Sequence, residues 1–145
     1  MVGRYKHTKT QEVKMVKVTK KQIEEELKNG AKNITEDDLK KVIGRIDEIE
    51  KKFEYRSPLR RFASDIKLLC SIIKDYASGE YRKIPWWSIA AIVFTLMYML
   101  NPIDLIPDFI SFAGYIDDAA VLAACLFMVE QDLNTYKDME KELMN

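Results

Sequence analysis

The stretch IPWWSIAAIVFTLMYMLNPI, residues 84–103, holds twenty residues and no charge. Before Asn101 its polar groups are Ser88, Thr95 and Tyr98. A helix that is apolar on every side is either the central helix of a core or a segment in lipid. Trp86 and Trp87 stand near its start, separated from Arg82 and Lys83 by Ile84-Pro85. Indoles beside cations suit a membrane–water interface, where one end of the ring is dry and the other wet.

Length weighs against a simple membrane span. Pro102 biases Asn101 away from helical angles, so the helix should end near Leu100. Counted from Pro85, that leaves sixteen residues. At ~1.5 Å each they reach about 24 Å, short of a hydrocarbon core of ~30 Å. The next uncharged run, 119–129, has eleven residues between Asp118 and Glu130, or about 17 Å. A shallow hairpin, a thinned bilayer and burial within the protein all stay open.

Between the two runs lies NPIDLIPDFISFAGYIDD, residues 101–118, with Asp104, Asp108, Asp117 and Asp118. Asn101-Pro102-Ile103-Asp104 has the order of a helix start: Asn101 as N-cap, Pro102 at N1, Asp104 at N3. Pro107-Asp108 repeats that order as a restart after a kink, Gly114 allows a turn, and Asp117 and Asp118 open the last helix. Each acid then neutralises backbone N–H groups that an apolar setting would leave without water. The competing reading is a cation site. Asp104 and Asp108 share a helix face, and an oxygen-only ligand set of four aspartates suits Mg²⁺ or Ca²⁺. Proton or polar-substrate handling is a third use. No phosphate-binding glycine loop and no evident general base accompany the acids, so capping is the favoured role and no catalytic or cofactor-binding residue is assigned.

On the N-terminal side the pattern is amphipathic. Thr19 with Gln22 reads as a capping box opening a short helix, and Gly30 reads as its end. Thr35 with Asp38 opens a second helix, with Ile34 and Leu39 at staple positions. Leu39, Val42, Ile43, Ile46, Ile49 and Phe53 form its apolar stripe at steps of three and four. Ser57-Pro58 has the form of a cap and an N1 proline. The stripe that follows is Leu59, Phe62, Ala63, Ile66, Leu69, Cys70 and Ile73, ended by Ser78-Gly79. Residues 1–18 read as a basic arm, in which VKMVKV alternates like a strand with nothing to pair with.

The chain has 145 residues and a net charge of zero, but the charge is unevenly spread. Residues 1–33 carry nine Lys/Arg and four Asp/Glu; residues 84–145 carry two and nine. A basic first part can meet anionic lipid or nucleic acid, or simply be solvated. It has little aromatic interleaving beyond Tyr5 and no nucleic-acid motif, so no nucleic-acid partner is expected. Cys70 and Cys125 sit in apolar helical patterns and read as buried hydrophobes. The single histidine, His7, lies in a polar segment, which leaves Ser-His and Cys-His catalysis unsupported. MVGRYKHTKT lacks the apolar core of a secretory signal, so a cytosolic or inner-face location is expected.

YMLNPIDLIPDFISFAGYIDD, with YRKIPWW before it, resembles the YkvA-like family, also called the DUF1232 domain. The family pattern is close to Y-x-L-[SN]-P-I-D-L-I-P-D-F-I-P-x-x-G-Y-x-D-D. The resemblance covers roughly residues 84–127 and departs at Ser111, where many members have a second proline. The matching positions are Asn101, Pro102, Asp104, Pro107, Asp108, Gly114, Asp117 and Asp118. The resemblance implies a small helical-hairpin module, often considered membrane-associated, and supplies no reaction.

The expected fold is all-α: five to six helices, a central apolar helix, and a kinked helical hairpin near the C-terminus. Residues 1–33 are taken as a basic arm with a short helix, 34–80 as two amphipathic helices, and 81–140 as the hairpin packed with them in one domain. The expected function is non-enzymatic, as a membrane-associated or interaction module at the cytoplasmic face. Its partner would be a membrane surface or another helical protein, with Arg56, Arg60, Arg61, Arg82 and Lys83 meeting anionic headgroups. One alternative is a soluble domain in which helix 85–100 is the core under helices 36–54, 58–77 and 119–139. The other is a divalent-cation-dependent enzyme acting through the four aspartates.

Overall fold

The computed structural model describes residues 19–55, 61–100 and 118–144. Their regular structure is helical: α1 Lys20–Lys32, α2 Glu36–Ile43, α3 Ile46–Tyr55, α4 Ala63–Ser78, α5 Trp86–Leu100, α6 Asp118–Met128 and α7 Glu130–Met144. The all-α class holds. The count does not: there are seven helices among the described residues, because two expected helices each divide.

The helix expected over 36–54 divides at Gly44-Arg45. The Arg45 N–H turns back to Val42 O at 2.9 Å, a tightened turn, and the helical pattern resumes with Ile49 N–H to Arg45 O at 3.0 Å. Glycine is among the weakest helix formers, so the bend falls where the helix has least to lose. The helix expected over 119–139 divides at Val129. There the Val129 N–H bonds to Cys125 O at 3.0 Å and Leu133 N–H to Val129 O at 2.9 Å. Backbone bonding is kept on both sides, so this is a bend at one residue and not a loop.

Local caps form as their spacing predicts. The Thr19 side chain accepts from Gln22 N–H at 3.1 Å, and the Gln22 side chain accepts from Thr19 N–H at 2.8 Å. Thr35 and Asp38 repeat the exchange at 3.2 and 2.9 Å. Gly79 ends α4 with φ +88°, a left-handed conformation that glycine adopts without strain.

Gly30 is a correction. It does not end α1, which continues to Lys32 and Asn33. Gly30 is buried inside the helix, and a Cβ there would fall into the Phe94 ring of α5. The glycine is a point of close helix–helix approach.

α5 is the centre of the bundle. α1, α2, α3, α4 and α6 all pack on it, and α1 also packs on α6. Eleven of its fifteen residues are buried, from Ser88 to Met99. The stripes of α2, α3 and α4 meet it with Leu39, Val42, Ile46, Ile49, Ile66, Leu69, Ile72 and Ile73, all buried in one cluster. Covering an apolar helix this way removes most of its surface from water, at roughly 25 cal/mol per Å² of apolar area. Thr95 satisfies its hydroxyl within the helix, donating to Ala91 O at 2.8 Å. Among the described residues no helix is long and apolar enough to cross a membrane. Several expectations lie outside the described residues: the VKMVKV strand, the Ser57-Pro58 start, Arg56 and Arg60, and the stop of α5 at Asn101-Pro102.

Candidate functional site

The motif positions Asn101, Pro102, Asp104, Pro107, Asp108, Gly114 and Asp117 lie outside the described residues. Asp118 is the first residue of α6. Among the described residues no group of three or more His, Cys, Asp or Glu side chains could hold a metal ion. Cys70 and Cys125 are both buried free thiols, and burial pushes each up to about 12. The Cys125 thiol donates to Ala91 O at 3.8 Å. Thiols held protonated this way are poor nucleophiles.

The structure brings together a different set. Where the C-terminal half of α1 meets the first turn of α5, a cleft of about 820 Å³ opens, lined by Glu25, Lys28, Asn29, Ala31, Lys32, Trp86, Trp87 and Ala90. Lys28 and Lys32 are one helical turn apart on α1, as Trp86 and Ala90 are on α5. Trp87 is 44% exposed, an unusual position for a large ring beside a helix otherwise enclosed. Trp86 is half-buried and tilted against Tyr76 at 6.1 Å between ring centroids. The Arg82 guanidinium lies over the other partner of that pair, 4.4 Å from the Tyr76 ring centroid. A cation over an aromatic face is held by the ring quadrupole. An indole-rich opening is thus lined by Lys28 and Lys32 on α1, with Arg82 over the Tyr76 ring that meets Trp86 and exposed Lys83 three residues before Trp86 in the chain.

On another side, a polar seam fastens α7. Tyr136, fully buried, donates its hydroxyl to Asp75 Oδ2 at 2.6 Å, and Ser71 Oγ bonds the same hydroxyl at 2.9 Å. Buried Ser88 donates to Asp132 Oδ2 at 2.5 Å. The Tyr81 ring meets Tyr136 edge-on at 5.1 Å between centroids. Burial raises the Tyr136 phenol, reinforced by the Asp75 carboxylate that accepts its proton. Burial also raises Tyr81, with the Asp132 charge adding to it. The Tyr81 hydroxyl is buried without a hydrogen-bond partner among the described residues.

Neither feature was legible as a site in the sequence. Lys28 and Lys32 read as solvated positions; their i, i+4 spacing beside Leu27 and Ala31 was the available signal. The seam joins residues 44 to 65 positions apart, and no local pattern marks it.

Residues 88–124 match a family model described as a protein of unknown function, DUF1232. The chain is similar to an uncharacterized membrane protein, YkvA, of Bacillus subtilis (strain 168). The two are 27% identical over 82 residues, which cover 57% of this chain and 77% of the relative. No solved structure matches. The family match takes in most of α5, the aspartate motif and the first half of α6. Of the described residues lining the cleft it includes Ala90 alone.

Proposed function

Since this chain is a YkvA-like member of the DUF1232 family, we propose that it is a non-enzymatic helical protein that attaches to the cytoplasmic surface of a membrane. The observation that carries this is the half-exposed Trp87 at the start of α5, beside Trp86 and the cations Lys28, Lys32, Arg82 and Lys83. Indoles favour the headgroup level, where the ring leaves water and the N–H keeps a partner. Cations near an anionic leaflet contribute about 1 kcal/mol each. The word membrane in the relative's name points the same way. Burial of eleven of the fifteen α5 residues favours a bundle that stays folded at the surface over a hairpin that opens into lipid. Under this proposal the four aspartates are helix caps. Mg²⁺ or Ca²⁺ would then leave the melting temperature unchanged in the wild type and in Asp108→Ala alike.

The test is co-sedimentation with vesicles of phosphatidylcholine, with and without phosphatidylglycerol, at low and high salt. Binding should require the anionic lipid, weaken in high salt, and fall in Trp87→Ser. Equal binding to both vesicles that ignores salt, or no binding to either, overturns the proposal.

A further inference from the structure

We infer that the cleft between α1 and the first turn of α5 binds a single phospholipid molecule, phosphate toward Lys28 and Lys32 and acyl chain toward Trp86, Ala31 and Ala90. The inference deepens the membrane-surface proposal and names that site's ligand.

The cleft has the size of a small-molecule site. Its roughly 820 Å³ falls within the ~300–1,000 Å³ of clefts that enclose most of a ligand's surface. Its walls are chemically unequal. One carries two indoles and Ala90; the other carries Ala31 beside two ammonium groups, an amide and one carboxylate. A ligand that uses both walls must be amphiphilic. Lys28 and Lys32 have no ion-pair partner among the described residues, whereas Lys41 on α2 and Arg45 in the bend after it do. Two ammonium groups on adjacent turns, with the Asn29 amide between them in sequence, offer donors to one phosphate. Their aliphatic stems continue the apolar lining toward Ala31.

Glu25 narrows the choice. It stands three residues before Lys28 on the same helix face, so a polyanion laid along α1 would meet a repelling carboxylate. A single phosphate carrying a hydroxyl or ammonium would instead find an acceptor there. A peptide strand is disfavoured because both walls are helices, whose backbone groups are already bonded within the helix and offer no open edge.

The experiment titrates the full chain with dihexanoyl phosphatidylglycerol, kept monomeric below its micelle concentration, by calorimetry. Inorganic phosphate is titrated in parallel, and each variant is also tested on anionic vesicles. Saturable binding of the short lipid is expected, with at least tenfold weaker binding of phosphate alone. Lys28→Glu/Lys32→Glu should lose at least tenfold in affinity for the lipid. Asn29→Trp should fill the cleft and abolish binding of the short lipid. Asn29 is exposed and its side chain bonds to no described residue, so this variant tests the cleft without disturbing the core. Phosphate binding as tightly as the lipid overturns the inference, as does lipid binding unchanged in both variants. Vesicle attachment without saturable binding of the short lipid overturns the cleft and leaves surface attachment standing. Short-lipid binding without vesicle attachment does the reverse.

Discussion

Gly30→Ala should destabilise this protein, although helix propensity alone predicts the opposite sign. Alanine in a helix interior is better than glycine by roughly 0.5–1 kcal/mol. At Gly30, however, the new Cβ would meet Cε2, Cζ and Cδ2 of Phe94, the farthest of the three at 2.6 Å. Phe94 is 7% exposed and has α1 on one side and the core on the other, so its ring has no free direction to yield. Overpacking of this kind costs typically ~1–3 kcal/mol. The clash wins by about 1 kcal/mol, which for a domain of this size lowers Tm by roughly 3 °C. The assay is urea unfolding followed by circular dichroism, in the wild type and in Phe94→Leu. In the Phe94→Leu background the clash is gone, and Gly30→Ala should turn stabilising by up to ~1 kcal/mol. The two substitutions are therefore coupled by at least ~1 kcal/mol, far beyond the additivity of independent sites. Stabilisation by Gly30→Ala in the wild-type chain, with no coupling to Phe94, would refute the packing of α1 on α5.

Tyr136→Phe should cost about 1–2 kcal/mol by urea midpoint, because it leaves Asp75 and Ser71 without the hydroxyl they share. Gly79→Ala should cost roughly 1–2 kcal/mol; nothing lies within 4 Å of the added Cβ, so the loss is conformational and Gly79→Asn should recover part of it. Stability should hold up to about pH 9 and then fall. Cys70 and Cys125 are raised to about 12 from 9.0 in the folded state, and Tyr81 and Tyr136 are raised from 10.0. Below those ordinary values both states keep their protons. Above them the unfolded chain releases protons that the folded chain holds, and unfolding gains. Urea midpoints measured across that range check the slope, which Cys70→Ala with Cys125→Ala should flatten at its lower end.

What the sequence made legible follows from the range of the interactions. Thr19 with Gln22 and Thr35 with Asp38 are three residues apart, so their capping boxes could be read from spacing. The uniform apolarity of α5 narrowed it to a central helix or a segment in lipid, and left the two open, because no exposed face was possible for it in water; the helices that cover it come from distant parts of the chain. Gly30 was misread because the residue that explains it, Phe94, is far along the chain; locally it looks like any helix-ending glycine. The bends at Gly44-Arg45 and Val129 were missed because the apolar stripe continues through both. The α7 seam was missed for a related reason: Ser71, Asp75 and Asp132 look like ordinary solvated positions until Tyr136 and Ser88 are folded against them. The cleft depended on which faces of α1 and α5 meet, and that choice is made by Leu27, Gly30 and Phe94 in the folded chain.

The most direct test of surface attachment is fractionation of cells expressing the untagged chain, with membranes washed in high salt and then in alkaline carbonate. A folded bundle held by Trp87 and flanking cations should sediment with membranes at low salt and leave them in high salt. A chain that stays in the pellet through both washes would have α5 in lipid, and would contradict the buried central helix on which the account rests.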